Sequence, residues 1–424
     1  MRSPRAWGWL LALVACACDS PAARPNVLLI SLDTLRADRV GSYGYARPTT
    51  PFLDELASGG VRFSHAFINT HCTPQSHATI FTSLYQEAHG VALDPAEPGA
   101  PEWTTYVLDD SHLTLAETLK GAGYLTLAVT EGGYMADEFG LDQGFEEYYD
   151  GARAVDQGTI RLLRMLRRHA GDPRPVFALL HTYQVHVPYT PPERYRALFG
   201  WPEVPYEATT DKIPEIRAAG FPAEDVRYLS DMYDAEIRFI DDTLRELFAE
   251  LEAIGFLRDA LVVVLSDHGE EFHEHGELSH RDTLYEELMH VPLVFAGSRI
   301  AGGRVDDRMA GLVDVAPTML SLLGVVAPAR MAGLDLLAPP RAEADPAVFA
   351  QFGSRRYAVR TRQWKLIDTL APEPRVELYD LAADPGERHD LAASDPERVA
   401  ALRARIAEWR AAAGTRHSAP GGAP

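Results

Sequence analysis

Cysteines and cationic residues are scarce in this chain of 424 residues. The three cysteines are Cys16, Cys18 and Cys72, so the body of the protein holds a single thiol and cannot form an internal disulfide. Lysine and arginine number 40 against 61 aspartates and glutamates, a formal charge of −21. So acidic a chain has no general attraction for nucleic acid or anionic lipid, which argues against nucleic-acid binding. An anionic substrate would need a local cation such as a metal ion.

Long hydrophobic runs are also missing from the chain. The apolar run at residues 6–15 follows two arginines and is too short to span a bilayer, so we interpret residues 1–20 as an export signal. The run ends in a sequence that resembles a bacterial lipoprotein cleavage site, which would place a lipid on Cys16. Cys18 and a plain secretory signal are the alternatives. The sequence thus predicts an exported protein of the periplasm or cell envelope that meets the membrane only through an N-terminal lipid anchor.

Short apolar runs alternate with amphipathic patterns in the rest of the chain. Runs rich in branched residues predict strands at 27–32, 124–129, 176–180, 260–266 and 291–295. Helical periodicity predicts helices at 51–59, 113–120, 160–170 and 223–252. This alternation predicts an α/β fold with a large, mostly parallel central sheet flanked by helices. Ligands then bind at the carboxyl ends of the strands.

The composition changes near Pro339, where proline and alanine cluster. Short strand-like segments and a helix at 396–412 follow. We therefore predict a catalytic domain at 25–338, a small C-terminal α+β subdomain at 345–415 and a disordered tail at 416–424.

Three polar motifs lie at or near the ends of predicted strands or at the start of a helix: NVLLISLDTLRAD at 26–38, CTPQSHATIFT at 72–82 and SDHGEE at 266–271. Further segments in the same order are HTYQVHVPYTPP at 181–192 and LYEELMHVPL at 284–293. Through these segments the chain resembles the sulfatase family of the alkaline-phosphatase superfamily, from Pro25 to Trp409. The resemblance implies an alkaline-phosphatase-like sandwich and a metal-dependent hydrolase of sulfate esters.

Asp33 and Asp267 follow two predicted strands, and His268 adds an imidazole beside the second. Oxygen and nitrogen ligands of this kind suit one divalent cation. By resemblance to the family we assign metal binding to these three residues, with calcium, manganese or zinc as the ion. Sulfatases that bind calcium usually have a second aspartate and an asparagine where this chain has Thr34 and His268, which favours a transition ion.

The nucleophile can be assigned in two registers. The family's activation motif is Cys-x-Pro-x-Arg, in which the cysteine is oxidised to formylglycine; Cys72 fits it, but Ser76 replaces the arginine. Read one residue later, Thr73 begins a stretch that resembles the unmodified pattern Thr-x-Pro-Ser-His-Ala, apart from Gln75. We favour Thr73, because this register places it at the N-terminus of the following helix. Formylglycine at Cys72 is the alternative.

Three histidines complete the predicted site by resemblance. His186 matches a position that contacts the substrate oxyanion, His280 matches a position near the leaving group, and His77 replaces the arginine that steadies the nucleophile. They would stabilise charge in the transition state and protonate the leaving oxygen. Arg36, His181, His273 and His275 are candidates for supporting roles around the site.

The predicted function is therefore hydrolysis of a sulfate ester on a small molecule, glycan or lipid. One alternative is a phosphodiester or phosphonate monoester hydrolase that uses Thr73 without formylglycine. A second is a catalytically inactive binding lipoprotein, which only the departures at Gln75 and Ser76 support. The loops that would select the substrate are predicted at 87–112 and 201–222.

Overall fold

The computed structural model describes residues 24–92, 105–280, 283–339 and 345–417, without the side chains of 414–417. The predicted export signal and lipid anchor lie outside the described residues, as does most of the predicted tail. Within the described residues, no helix is long and apolar enough to cross a membrane.

The described residues form fourteen strands and eleven α-helices. The strands are β1 (Asn26–Leu32), β2 (Val61–Phe67), β3 (Leu125–Val129), β4 (Glu147–Tyr149), β5 (Val176–Thr182), β6 (Ala260–Leu265), β7 (Glu271–Phe272), β8 (Leu278–Ser279), β9 (Leu293–Gly297), β10 (Arg304–Gly311), β11 (Ala347–Phe352), β12 (Arg356–Thr361), β13 (Trp364–Thr369) and β14 (Arg375–Asp380). The helices are α1 (Pro51–Gly59), α2 (Thr73–Thr82), α3 (Gln86–His89), α4 (Leu115–Gly121), α5 (Val155–Arg168), α6 (Glu193–Arg196), α7 (Lys212–Ala218), α8 (Ala223–Ala253), α9 (Glu286–Met289), α10 (Val315–Leu322) and α11 (Pro396–His417).

Eight strands form the central sheet, in the order β10-β2-β9-β6-β1-β5-β3-β4. Every neighbouring pair is parallel except the two pairs that β9 makes. The sheet is mostly parallel, as predicted. Because β1, β5 and β6 are parallel neighbours, the residues that follow them meet at one edge of the sheet, where ligands bind in folds of this type.

Both faces of the central sheet are covered, which explains the continuous apolar runs. In β1, Val27 and Leu29 face a core shared with α2, α4 and α10, whereas Leu28 and Ile30 face a core shared with α1, α5 and α8. Full burial of such a side chain contributes about 1.5–3 kcal/mol. Packing in these two cores therefore holds in place the sheet edge at which the polar residues after β1, β5 and β6 lie.

A second sheet follows the first along the chain. Strands β11 to β14 form an antiparallel meander, and α11 packs on it through Leu402, Ile406 and Trp409. This sheet and helix are the predicted small α+β subdomain. Its contacts with the main part include the backbone bond from Gln351 N–H to the Asn69 carbonyl. The exact domain boundaries stay a prediction.

Three strands of the central sheet, β2, β4 and β10, were not predicted from the sequence, and β4 is only three residues long. Ser64 and His65 interrupt the apolar pattern of β2, and β10 contains Arg304, Asp306, Asp307 and Arg308. β10 lies at the edge of the sheet, where solvent can reach polar side chains. Whether the residues of these strands are buried depends on their tertiary position, so the local sequence gave little indication of strand structure.

Candidate active site

Asp33, Asp267 and His268 lie together at the carboxyl edge of the central sheet. Asp33 follows β1 and Asp267 follows β6, and all three side chains are fully buried. One ligand atom from each residue lies within 4.8 Å of the others. The parallel pairing of β1 with β6 thus brings together the three residues that the sequence assigned to a metal.

These residues leave three buried atoms without hydrogen-bond partners: Asp33 Oδ1, Asp267 Oδ2 and His268 Nε2. His268 Nε2 lies 3.5 Å from Asp267 Oδ2 and 4.0 Å from Asp33 Oδ1. Nδ1 of His268 donates to the Gly269 carbonyl at 3.0 Å, which leaves a lone pair on Nε2 in the neutral ring. Unsatisfied buried acceptors are costly, and a divalent cation between them would satisfy all three.

The electrostatics of the acids point to the same conclusion. Burial, and then the charge of Asp33, raise the pKa of Asp267 well above its ordinary value. Burial also disfavours the charged form of Asp33, but its bond from His181 and the nearby imidazoles outweigh burial and lower its pKa. Two carboxylates this close cannot both be ionised without a compensating positive charge. The residues present therefore fit a bound divalent metal.

Thr73 is the first residue of α2, and its hydroxyl reaches the predicted metal ligands. Thr73 Oγ1 donates to Asp33 Oδ2 at 3.0 Å. Cys72 precedes the helix with φ +67° and ψ 148°, a conformation that costs free energy in residues other than glycine. Cys72 is buried as well. The Thr73 hydroxyl is therefore in direct contact with a predicted metal ligand.

His77 lies one turn into α2 and holds the backbone of Thr73. Its Nδ1 donates to the Thr73 carbonyl at 2.8 Å, and Ser31 Oγ donates to its Nε2 at 2.9 Å. Burial, and then the charge of His181, lower the pKa of His77 to about 3, so the ring is neutral. His77 is therefore a neutral group that holds the backbone of Thr73.

His280 and His186 stand beside the predicted metal ligands. The ring centroid of His280 lies 4.6 Å from that of His268 and 4.8 Å from that of His186. His280 Nδ1 bonds the carboxylate of Glu270 at 2.9 Å, and the other Glu270 oxygen accepts from Tyr189 at 2.8 Å. Nε2 of His280 is then the ring atom left to exchange a proton. Sequence reasoning missed Glu270, although it lies in the SDHGEE motif.

His181 and Tyr183, at and just beyond the end of β5, complete the site. His181 Nε2 donates to Asp33 Oδ2 at 3.3 Å, which places it in the supporting role suggested for it. The Tyr183 ring lies 4.6 Å from that of His181. Burial and the charges of Asp33 and Asp267 raise the pKa of Tyr183 well above its ordinary value, against a smaller effect of the Thr73 side chain. In the sequence, the position of Tyr183 between His181 and His186 is the signal that could have indicated it.

The other three residues suggested for supporting roles make structural contacts. Arg36 donates to Asp38, Glu274 and the Glu270 carbonyl. His273 stacks on Phe221, and His275 stacks on Tyr285 while it bonds Glu287. Arg36 therefore braces the segment that carries Glu270, whereas the two histidines bind neighbouring side chains.

The arrangement can support substitution at a tetrahedral anion. It combines a cation site, a hydroxyl at a helix N-terminus and several imidazoles in one buried cluster, the groups needed to hold an oxyanion, attack it and protonate a leaving group.

Family comparison matches both parts of the chain. A family model described as sulfatase matches residues 25–325, and one described as N-sulphoglucosamine sulphohydrolase, C-terminal, matches residues 273–411. The chain is 23% identical to arylsulfatase K of Bos taurus over 480 residues, which covers 93% of this chain and 86% of that protein. It is 24% identical to a Delta 4,5-hexuronate-2-O-sulfatase of Bacteroides thetaiotaomicron over 451 residues, which covers 91% of this chain and 88% of the relative.

Solved structures share the fold. A protein in complex with its substrate, D-glucosamine-2-N,6-O-disulfate, superposes with a TM-score of 0.75 at 20% identity, covering 92% of this chain and 98% of the other. The phosphonate monoester hydrolase of Agrobacterium radiobacter superposes with a TM-score of 0.73 at 23% identity, covering 93% of this chain and 96% of the other. The alkaline-phosphatase-like architecture predicted from the sequence is confirmed.

Proposed function

Because this chain belongs to the sulfatase family and is a hydrolase of sulfate esters, we propose a nucleophile, a metal site and a substrate class for it. The nucleophile is Thr73, the metal ligands are Asp33, Asp267 and His268, and the substrate is a sulfated carbohydrate. The observation that carries the proposal is the bond from the Thr73 hydroxyl to Asp33, within a cluster whose buried ligand atoms lack partners.

A divalent cation held by the three ligands would offset the charge of the sulfate and favour the Thr73 alkoxide. An imidazole among the ligands favours manganese or zinc over calcium, because calcium prefers oxygen ligands alone.

The protons balance over the whole reaction. Thr73 Oγ attacks sulfur as its hydroxyl proton is released to solvent, because the lowered pKa of Asp33 makes that carboxylate a hydrogen-bond acceptor and not a base. The bond from sulfur to the ester oxygen breaks with its electron pair on that oxygen, and Nε2 of His280 protonates it. Water then attacks the sulfo-threonine and gives a proton to His280. The Thr73 oxygen leaves and takes a proton from solvent, so ester and water become alcohol and hydrogen sulfate.

The names of the relatives support a carbohydrate as the alcohol. One relative is a hexuronate-2-O-sulfatase, and one structural neighbour holds a glucosamine disulfate. In this chain His186 and Tyr183 are partly exposed, whereas the metal ligands are fully buried. The buried end would take the sulfate, and the partly exposed His186 would border the sugar.

A second candidate activity, beside sulfate ester hydrolysis, is hydrolysis of a phosphodiester or phosphonate monoester, which an unmodified Thr73 as nucleophile would favour. A formylglycine hydrate can expel sulfate by returning to the aldehyde, but a simple alkoxide forms a stable ester that water must displace. That double displacement is common chemistry for phosphorus esters.

Parallel assays separate the two candidates. The full chain is loaded with Mn²⁺, Zn²⁺ or Ca²⁺ and assayed with 4-nitrophenyl sulfate, a sulfated disaccharide, bis-4-nitrophenyl phosphate and phenyl phenylphosphonate. Faster turnover of the sulfate esters supports the first function, and faster turnover of the phosphorus esters supports the second. A protein that binds none of the metals and turns over none of the substrates would be a binding protein instead.

The nucleophile is tested in the same assays. Thr73→Ala is expected to abolish turnover and Cys72→Ser to leave most of it, since serine is close to cysteine in size. The reverse pattern would assign the reaction to Cys72.

A further inference from the structure

Tyr183 presents a hydroxyl to the site that no group in the described part of the chain satisfies. The hydroxyl oxygen is buried and has no hydrogen-bond partner. Burial and the charges of Asp33 and Asp267 raise its pKa, while the Thr73 side chain and the Tyr134 backbone lie close enough to lower it. A buried polar group without a partner costs free energy, and in an active site it is commonly completed by a ligand.

Hydrogen bonds to Glu131 hold the backbone of Tyr183 and the side chain of Thr182, and so fix the position of the Tyr183 ring. Its N–H donates to Glu131 at 3.0 Å, and the preceding Thr182 hydroxyl donates to the other Glu131 oxygen at 2.5 Å. The ring also makes an edge contact with His186, with the centroids 5.6 Å apart. The phenol is therefore held beside two of the predicted site histidines.

Gly133 makes room for the ring, and the preceding Gly132 packs against the backbone of Asp150. Gly133 has φ +59°, and a Cβ there would lie 3.2 Å from Tyr183 Cε2 and 3.3 Å from the hydroxyl oxygen. Gly132 has φ +71°, and a Cβ there would lie 2.8 Å from the Asp150 carbonyl oxygen. Both positions need glycine for backbone conformation and for space. The segment after β3 is thus shaped to admit the Tyr183 phenol.

We propose that the Tyr183 hydroxyl donates a hydrogen bond to a non-bridging oxygen of the sulfuryl or phosphoryl group as that group is transferred to Thr73. The inference rests on the proposed function for the position of the reacting group. A phenol is neutral and can serve as a donor without adding charge. It would contact the anion on the Thr73 side of the site, while His280 serves the leaving group.

Tyr183→Phe removes the hydroxyl and keeps the ring. In the metal-loaded full chain, we expect kcat on the best ester substrate to fall by about 10²- to 10³-fold, as for loss of one oxyanion donor, with little change in KM. Tungstate serves as a tetrahedral anion that needs no turnover, and its Kd, measured by calorimetry, should rise at least tenfold. Gly133→Ala places a Cβ against the Tyr183 ring, so it should likewise lower kcat and raise the Kd for tungstate.

Tyr134→Phe is the matched control, because this tyrosine is 41% exposed in the neighbouring loop and its hydroxyl is not required by the proposal. It should match wild type in kcat, in the Kd for tungstate and in melting temperature.

If wild type binds tungstate more tightly than Tyr183→Phe but hydrolyses no ester, the Tyr183 assignment stands and the proposed reaction fails. If wild type is active and Tyr183→Phe matches it in kcat and tungstate binding, the Tyr183 assignment fails alone. A wild type that neither binds tungstate nor turns over esters would overturn both.

Discussion

Two buried carboxylates face each other at the centre of the site, and their mutual repulsion is the main residue-scale feature of the protein. Asp267 Oδ1 accepts from the backbone N–H groups of Thr34 and His268, while its Oδ2 has no partner. Of the two Asp267 oxygens, only Oδ2 therefore needs a cation as its partner. The metal-free protein must carry either a proton or an unfavourable charge there.

Asp267→Asn tests this directly. The asparagine can keep the two backbone bonds through Oδ1 and donate from its amide towards Asp33, so the metal-free variant should melt above the metal-free wild type. Saturating Mn²⁺ or Zn²⁺ should stabilise wild type, by about 2.7 kcal/mol at a metal concentration one hundred times Kd, and should not stabilise the variant. Melting temperatures with and without metal, together with metal content, measure both effects.

Asp259→Asn is the control, because this carboxylate pairs with Arg299 on the surface. It should respond to metal like wild type. Equal stabilisation of Asp267→Asn and wild type by metal would contradict the ligand assignment.

At this scale the sequence predicted the residues whose chemistry is local and missed those whose role depends on a partner. Asp33, Asp267 and His268 follow strand ends, and Thr73 begins a helix, so pattern and resemblance together located them. The role of Glu270 depends on His280, which lies beyond the β7–β8 hairpin. His273 and His275 belong to the same stretch of sequence, but their contacts are with Phe221, Tyr285 and Glu287.

At the scale of elements, the loop between β5 and α6 carries His186, and a buried acid on α8 holds it. Glu236 is fully buried; it accepts from the Thr190 N–H at 2.6 Å and from the Gln184 side chain at 2.9 Å. Burial raises the pKa of Glu236 to about 8, with a smaller contribution from Glu131 and opposition from its two hydrogen bonds. The loop therefore depends on a group that titrates near neutral pH.

Glu236→Gln should change the pH dependence of stability. The pKa of Glu236 rises from 4.5 to about 8 on folding, so the folded protein binds a proton that the unfolded chain has lost between these values. Wild type therefore loses stability as pH rises through that window, and a glutamine does not. Urea unfolding across the window should show the stability of Glu236→Gln improving relative to wild type as pH rises; parallel profiles would contradict it.

The bounds of some strands and helices could be predicted from local sequence alone. α1 was predicted with its observed bounds, and β1 and α8 to within one residue, because their apolar periods are strong and α1 begins at Pro51. α5 begins at Val155, five residues before the predicted start, because the polar residues Asp156 and Gln157 interrupt the apolar pattern of its first turn. The antiparallel direction of β9 follows from its connections and could not be predicted from its own residues.

At the scale of the whole molecule, a buried ion-pair cluster joins the second sheet to the first part of the chain. Lys365 on β13 is fully buried, and its Nζ lies 2.9 Å from Glu387 Oε1 and 3.2 Å from Glu286 Oε1. Glu286 is the first residue of α9, close along the chain to His280. The cluster thus links the small sheet to the segment that carries a site histidine.

Lys365→Met should destabilise the protein by about 3–5 kcal/mol, because it removes the cation of a buried ion pair, leaves Glu387 without that partner and leaves Glu286 with Arg360 alone. The free energy of unfolding in urea measures the change. Lys212→Met provides the control, since Lys212 pairs with Glu215 in contact with solvent, and it should leave stability close to wild type. Equal effects of the two substitutions would show that the cluster contributes nothing beyond a surface pair.

Export and lipid anchoring remain a prediction about the whole molecule, because residues 1–23 lie outside the described structure. We propose that Cys16 carries the lipid. Cys16→Ala should therefore move the protein from the membrane fraction to the soluble fraction of the cell envelope, as followed by immunoblot. Cys18→Ala serves as the control and should stay with the membrane; a Cys16→Ala protein that also stays there would disprove the anchor.

The central claim is that an unmodified Thr73, bonded to a metal ligand, attacks the substrate. It is tested most directly by the mass of the peptide that contains Cys72 and Thr73, isolated from protein purified from its native host and acid-quenched during turnover. We predict an unmodified Cys72 and a Thr73 that carries the transferred sulfuryl or phosphoryl group. A formylglycine at position 72 with an unmodified Thr73 would contradict the account and make Cys72 the source of the nucleophile.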